Sequence, residues 1–181
     1  MKLEEYLTKV EERIKSKGRI VSEWVKSERN VEVEGITAAL VMQGNMKQLK
    51  KGLILSRLSA AMTVPDWNTA ALFFLRKGET RVSDIQKIIR ATRIFMARND
   101  ITWAWLCLVS EREFSSKVKD FVRGYLKREL GVFLVDLGRN EIYSRSLNDP
   151  VARNGFKLLD PLKVEKEKVD GSKRGVLKIR R

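Results

Sequence analysis

A nearly unbroken apolar run at positions 101–109, ITWAWLCLV, constrains the fold of this chain more than any other feature. A strand with one face in water alternates apolar and polar side chains, whereas a run that is apolar at successive positions predicts a strand covered on both faces. Positions 70–75 and 132–136 have the same character. The sequence therefore predicts three buried strands, which need covering layers of helices.

Two amphipathic helices are predicted between these strands. Ser83 is expected to cap a helix that runs to Arg98, with Asp84 favourably placed in its first turn. Apolar residues at helical spacing from Phe114 to Leu130 predict the second helix, and a turn at 137–140 leads to an alternating strand at 141–145. The order strand, helix, strand, helix, strand predicts an α/β fold with a central mixed, largely parallel sheet flanked by helices.

The first 62 residues are predicted to be a helical N-terminal region. Apolar spacing favours a helix over residues 2–17 and a short second helix over residues 20–28. Residues 31–43 fit a strand or a helix, and Asn45 is expected to cap a helix that runs to about Met62. We therefore expect one α/β domain over residues 1–160, with a core at 70–145, followed by a basic tail at 161–181.

The charge of the chain indicates a polyanionic partner. The formal net charge is +14, from 37 basic and 23 acidic residues, and the sequence pI is about 10.1. The last 31 residues hold ten basic and four acidic residues. A surplus of this size attracts nucleic acid, with DNA favoured, although the same charge also serves solubility alone.

Several classes of site and location are excluded or disfavoured by composition. The sequence contains no histidine and one cysteine, Cys107, which argues against zinc sites, histidine-dependent catalysis and an internal disulfide. The N-terminus lacks a signal-peptide core, and no apolar run reaches the roughly 18 residues of a membrane span. We expect a cytoplasmic protein with no membrane partner, and abundant Lys, Arg and Glu weakly indicate a thermophilic source.

The helix at 83–98 is the strongest candidate for contact with nucleic acid. Lys87 and Arg90 are expected to share a face, with Arg93 on its flank, and these cations could hold phosphates, although a solvated helix face explains them equally well. Cations from Lys117 to Arg128 on the next helix alternate with acids and are weaker candidates, and Trp103 and Trp105 are expected to pack in the core. The predicted nucleic-acid-binding residues of this helix and of the tail are Lys87, Arg90, Arg93, Arg98, Lys173, Arg174, Lys178, Arg180 and Arg181.

A short motif begins at Pro65 and Asp66 and continues at Leu75, Arg76 and Lys77. With the order of elements, it makes residues 64–145 resemble the restriction-endonuclease-like nucleases, whose motif is PD-(D/E)xK. The resemblance implies a Mg²⁺-dependent nuclease in which clustered carboxylates bind the metal that activates water. Asp66 and Lys77 match this motif by position, but Leu75 replaces the second metal-binding carboxylate.

Other carboxylates are available to replace the missing ligand. Glu79 is the nearest along the sequence, so the candidate catalytic set is Asp66, Glu79 and Lys77, with Asp66 and Glu79 on the metal. Glu11 or Glu12 on the N-terminal helix is a further option. If the chain is not a nuclease, no cofactor is expected.

Three functions remain open at the level of sequence. The first is a non-catalytic nucleic-acid-binding protein, and the second is the Mg²⁺-dependent nuclease. The third is an assembly subunit, in which Met42, Met46 and Met62 around the predicted helix at 46–62 supply a protein interface, including that of a homodimer.

Overall fold

A computed structural model describes residues 1–17, 23–46, 67–146 and 148–164 of the chain. The helices are α1 (Leu3–Lys17), α2 (Val82–Arg98), α3 (Ser116–Arg123) and α4 (Pro150–Leu159). The strands are β1 (Glu23–Val33), β2 (Ile36–Met46), β3 (Trp67–Arg76), β4 (Trp103–Ser110), β5 (Leu130–Asp136) and β6 (Glu141–Tyr143). None of the helices in these ranges is long and apolar enough to cross a membrane.

The six strands form one mixed sheet in the order β1-β2-β3-β4-β5-β6. Strands β3, β4 and β5 are parallel, and the pairs β1–β2, β2–β3 and β5–β6 are antiparallel. The three predicted apolar strands are therefore the parallel centre of the sheet. The predicted α/β class, with a mixed sheet flanked by helices, is confirmed, but the sheet is not largely parallel, because three of its five strand pairs are antiparallel.

Two hydrophobic clusters cover the two faces of this sheet. Alternate residues of the central strands, such as Leu106 and Leu134, pack with α2 and α3 in the first cluster. The intervening residues, such as Cys107 and Phe133, pack with α1 and α4 in the second. Burial on both faces explains why β4 is apolar at successive positions, since neither of its sides meets water.

The predicted helix at residues 20–28 is wrong, because β1 begins at Glu23 and pairs with β2 along its length. The two strands are joined at Glu34 and Gly35, whose φ angles of 48° and 75° both lie in the left-handed region that a two-residue hairpin turn requires. This hairpin settles the ambiguous residues 31–43 as strand. Of the predicted Asn45–Met62 helix, Asn45 and Met46 belong to β2, and residues 47–62 lie outside the described part of the chain.

Three other predicted boundaries shift in the structure. Helix α2 begins at Val82 with Arg81 rather than Ser83 at its cap. The helix expected to continue to Leu130 ends at Arg123, because Gly124 forms the C-cap and Leu130 starts β5 beside Ala104. The strand expected at 141–145 ends at Tyr143.

The end of the chain also differs from the prediction. Helix α4 was not predicted from the sequence. Residues 161–164 were expected in the tail, but they form a helical turn in which Val164 is buried. The rest of the predicted tail, from residue 165, lies outside the described residues.

Gly155 lets α4 approach the sheet closely. A Cβ atom added at Gly155 would lie 2.1 Å from the ring of Phe133, a fully buried side chain of β5. In an unhindered helix, Gly→Ala stabilises by about 1 kcal/mol, because alanine has the higher helix propensity. The contact with Phe133 reverses that expectation.

We predict that Gly155→Ala lowers the free energy of unfolding by about 1–3 kcal/mol through overpacking. The loss should shrink in a Phe133→Leu background, where the shorter side chain leaves room for the methyl group. Urea denaturation of the four members of this double-mutant cycle measures both effects. A stabilising Gly155→Ala in the wild-type background would contradict this packing of α4.

Candidate nucleic-acid interface

Helix α2 has one face in the core and one face in water. Ile85, Ile88 and Ile89 are buried in the first cluster, which fixes the rotation of the helix on the sheet. Lys87 and Arg90 are exposed on the opposite side. Arg93 is exposed on the flank, because it lies four residues after the buried Ile89. Successive members of this trio are three residues apart, so each advances about 4.5 Å along the helix axis. The buried isoleucines therefore place three cations together on the solvent side.

These three cations have no acidic partner among the described residues. Asp84, the acid of α2, lies in the first turn, where its Oδ2 atom is 3.3 Å from Nη2 of Arg76 and accepts a 3.0 Å hydrogen bond from the Arg81 amide. In the ranges that the structure describes, no carboxylate lies at ion-pair distance from Lys87, Arg90 or Arg93. Their charge is therefore free to attract an external anion.

Arg98, the fourth predicted contact on α2, is engaged differently. Its guanidinium pairs with the Glu34 carboxylate in the β1–β2 turn, although the Arg98 side chain is 69% exposed. Such an exposed pair contributes little to stability. The Glu34 carboxylate nevertheless neutralises the charge of Arg98, whereas Lys87, Arg90 and Arg93 have no such carboxylate among the described residues.

Four cations on α1 and β1 are neutralised by neighbouring acids. On α1, Lys9 pairs with Glu5 at 2.6 Å, and Lys15 pairs with Glu11 at 2.8 Å. On β1, Arg29 pairs with Glu11 at 2.6 Å, and Lys26 with Glu28 at 2.8 Å. This contrast distinguishes the α2 face from the surface formed by α1 and β1.

The segment after α3, residues 124–129, lies beside α2 and adds further cations. Tyr125 packs against the first cluster, where burial raises the pKa of its phenol and the neighbouring Arg93 charge opposes that rise. Lys127 and Arg128 are exposed and have no acidic partner in the described part of the chain. We call the set Lys87, Arg90, Arg93, Lys127 and Arg128 the basic face.

A buried arginine holds this segment in place. Arg145 is almost fully buried, and its Nη1 atom donates a 2.6 Å hydrogen bond to the Lys127 carbonyl oxygen. Its Nη2 atom lies 3.0 Å from Oδ1 of Asp149. A guanidinium buried in this way anchors the backbone that carries Lys127 and Arg128.

Sequence reasoning identified the α2 trio but ranked Lys127 and Arg128 low. They were grouped with Lys119 and Arg123, and these two cations are indeed paired. Lys119 pairs with Glu113 at 3.0 Å, and Arg123 pairs with Asp120 at 3.0 Å. Gly124 marks where the helix ends, and it is the signal that could have separated the two pairs of cations. The predicted tail contacts Lys173, Arg174, Lys178, Arg180 and Arg181 lie outside the described residues.

The structure places the nuclease candidates as follows. Lys77 and Glu79 are exposed just after the carboxyl end of β3, a strand that spans about 30 Å, and Asp66 precedes its amino end but lies outside the described residues. Leu75 packs against the second cluster. Within the described ranges, no group of three or more histidine, cysteine, aspartate or glutamate residues could hold a metal ion. The Mg²⁺ site stays a prediction.

Glu11, a further carboxylate considered for the metal, serves to join α1 to β1. Burial alone would raise the pKa of Glu11. Hydrogen bonds from Lys15, Ser27 and Arg29, together with the charge of Arg29, outweigh this effect and lower the pKa to about 2. The Glu11 carboxylate thus receives its hydrogen bonds from side chains of the protein itself. The Glu12 side chain is exposed on the same helix.

Trp105 and Met42 lie in the core, and the half-buried Trp103 packs against it. Trp105 is buried with Trp103 at its edge, at 4.7 Å between ring centroids, and it stacks with Trp24 at 6.3 Å, so the predicted core packing of Trp103 and Trp105 is confirmed. Met42 is also fully buried, which removes it from the proposed assembly interface. The Met46 side chain and Met62 lie outside the described part.

Comparisons of the chain with family models, curated proteins and solved structures found no match. The resemblance to restriction-endonuclease-like nucleases therefore stays a prediction from the motif.

The low pKa of Glu11 predicts a specific dependence of stability on acid. A carboxylate whose folded pKa is lowered stabilises the protein above its ordinary value of 4.5, and this contribution is lost as the pH falls toward about 2. Glu11→Gln should therefore be less stable than wild type at neutral pH, and the difference should shrink below pH 4.5. Denaturation at a series of pH values measures it, with Glu12→Gln as the exposed control on the same helix. A difference between wild type and Glu11→Gln that stays constant down to pH 2 would contradict the pairing.

Proposed function

We propose that this chain binds nucleic acid, with DNA as the first candidate, through the basic face. The observation that carries the proposal is the trio Lys87, Arg90 and Arg93, which is exposed along one helix and lacks a carboxylate partner among the described residues. Phosphate groups are the natural partners of such a row of cations, because they repeat along a backbone.

The energetics of phosphate binding favour unpaired cations over paired ones. A cation already held by a carboxylate must give up that partner before it can bind phosphate. Lys87, Arg90 and Arg93 have no such partner to lose, and Arg90 and Arg93 present the planar forks that bind phosphate oxygens in pairs. The high net charge, +14 over the whole chain, would speed the encounter with a polyanion.

Phosphate contacts of this kind fix the position of a protein without reading a sequence. The proposed activity is therefore binding with strong salt dependence and weak sequence preference. We infer that the segment 124–129 extends this surface beyond one helix, because its Tyr125 lies near Arg93 of α2 and its Lys127 and Arg128 are exposed.

We predict that the triple variant Lys87→Ala, Arg90→Ala, Arg93→Ala binds a short duplex DNA at least tenfold more weakly at about 100 mM salt. The slope of log affinity against log salt should become shallower by about three, since each lost phosphate contact removes about 0.9. Fluorescence anisotropy titrations across about 50–200 mM salt measure both quantities. The substitutions should preserve the fold, because all three side chains are exposed and alanine favours the helix.

A matched control separates the basic face from the total charge. Lys2→Ala, Lys157→Ala, Lys163→Ala removes the same number of charges from exposed positions near α1 and in the C-terminal helices on the other side of the sheet. Lys163 lies 3.4 Å from Asp160, whereas Lys2 and Lys157 have no carboxylate at ion-pair distance in the described ranges. This control should retain most of the affinity and the slope of wild type. Equal losses in the two triple variants would show that binding does not use the basic face.

A further inference from the structure

The segment 124–129 displays an apolar side chain that the fold does not use. Leu126 is 73% exposed, more than any other large hydrophobic residue in the described part of the chain. Isolated exposed leucines are common on protein surfaces and need no explanation by themselves. Leu126 differs because of its position, which is next to the unpaired cations Lys127 and Arg128.

The local structure directs Leu126 away from the core. Residues 125–127 belong to neither a helix nor a strand, and the preceding Tyr125 packs inward against the first cluster. The Tyr125 amide donates a 3.1 Å hydrogen bond to the Val122 carbonyl oxygen. The Arg145 guanidinium holds the Lys127 carbonyl oxygen on the other side of Leu126 at 2.6 Å. The backbone is thus fixed on both sides of Leu126, so that little ordering is left to a binding partner.

We infer that Leu126 is an apolar wedge that contacts the bases of the nucleic acid held by the basic face. The inference rests on the proposed function and adds a base contact to it. An exposed leucine followed directly by the cations Lys127 and Arg128 complements a ligand that is anionic outside and apolar between its bases. Leucine is among the side chains that proteins insert between base steps, where its apolar surface replaces part of the lost stacking.

The wedge makes a prediction that differs from that of the cations. Removing an apolar contact releases no counterions, so Leu126→Ser should lower affinity by the same factor at every salt concentration. We expect about a tenfold loss, with the slope against log salt unchanged. The α2 triple variant should change that slope, which makes the two contributions separable in one assay.

The experiment uses the full chain with a short fluorescent duplex DNA and, in a second arm, one strand of the same sequence. Leu162→Ser is the matched control, because Leu162 is the other large exposed hydrophobic residue and lies in the helical turn after α4. Circular dichroism and thermal unfolding confirm that the variants fold. A parallel downward shift for Leu126→Ser with either probe, absent for Leu162→Ser, supports the wedge.

Failure of the wedge and failure of the proposed function give different results. The wedge is wrong if the affinity of Leu126→Ser equals that of wild type, falls no more than that of Leu162→Ser, or changes only in its slope against log salt. If the α2 triple variant still weakens binding in that case, the proposed function stands. If the wild-type chain binds neither probe at low salt, the proposed function and the wedge are both overturned.

Discussion

The burial of β4 on both of its faces is the constraint on which the rest of the structure depends. A strand with water on neither side needs a helical layer above and below the sheet. The crossover from β3 to β4 supplies α2 for one layer, and α2 must then turn its isoleucines toward the sheet. The direction in which Lys87, Arg90 and Arg93 point is thus a consequence of how the core is closed.

Basic residues have two separate uses in this chain. Some are buried and join distant elements, as Arg13 does when its Nη2 atom donates a 2.8 Å hydrogen bond to the Lys157 carbonyl oxygen between α1 and α4. Arg145 has the same kind of role beneath the segment 124–129. Others, on the basic face, have no acidic partner within the described residues. The structural arginines hold the scaffold, and the unpaired cations are the surface that the scaffold presents.

The sequence predicted those parts of the fold in which local pattern and tertiary environment agree. Apolar runs identified β3, β4 and β5, because a strand buried on both faces has no polar positions to confuse the pattern. The β1–β2 hairpin was missed because its N-terminal residues also fit a helical spacing, and only pairing with β3 and the turn at Glu34 and Gly35 decide in favour of strand. Helix α4 was not predicted, and the need for its Gly155 becomes visible only in the fold, where the ring of Phe133 leaves no room for a Cβ atom.

The candidate site likewise has features that the sequence predicts and features that only the fold reveals. The shared face of Lys87 and Arg90, with Arg93 on its flank, could be predicted directly from their spacing on a helix. Charge pairing could not be predicted from the sequence, because Arg98 and its partner Glu34 are 64 positions apart and meet only in the fold. The exposure of Leu126 was also hidden, since helical periodicity assigned it to the buried stripe of a helix that in fact ends at Gly124.

The central claim is that the basic face, and not the rest of the charged surface, contacts nucleic acid. Mapping backbone amide chemical shifts by NMR during titration with a short duplex DNA tests it most directly. We expect the largest shifts within the described part of the chain to cluster on the exposed side of α2 and in residues 124–129. Shifts concentrated on α1, β1 and α4, or none at saturating DNA, would contradict it.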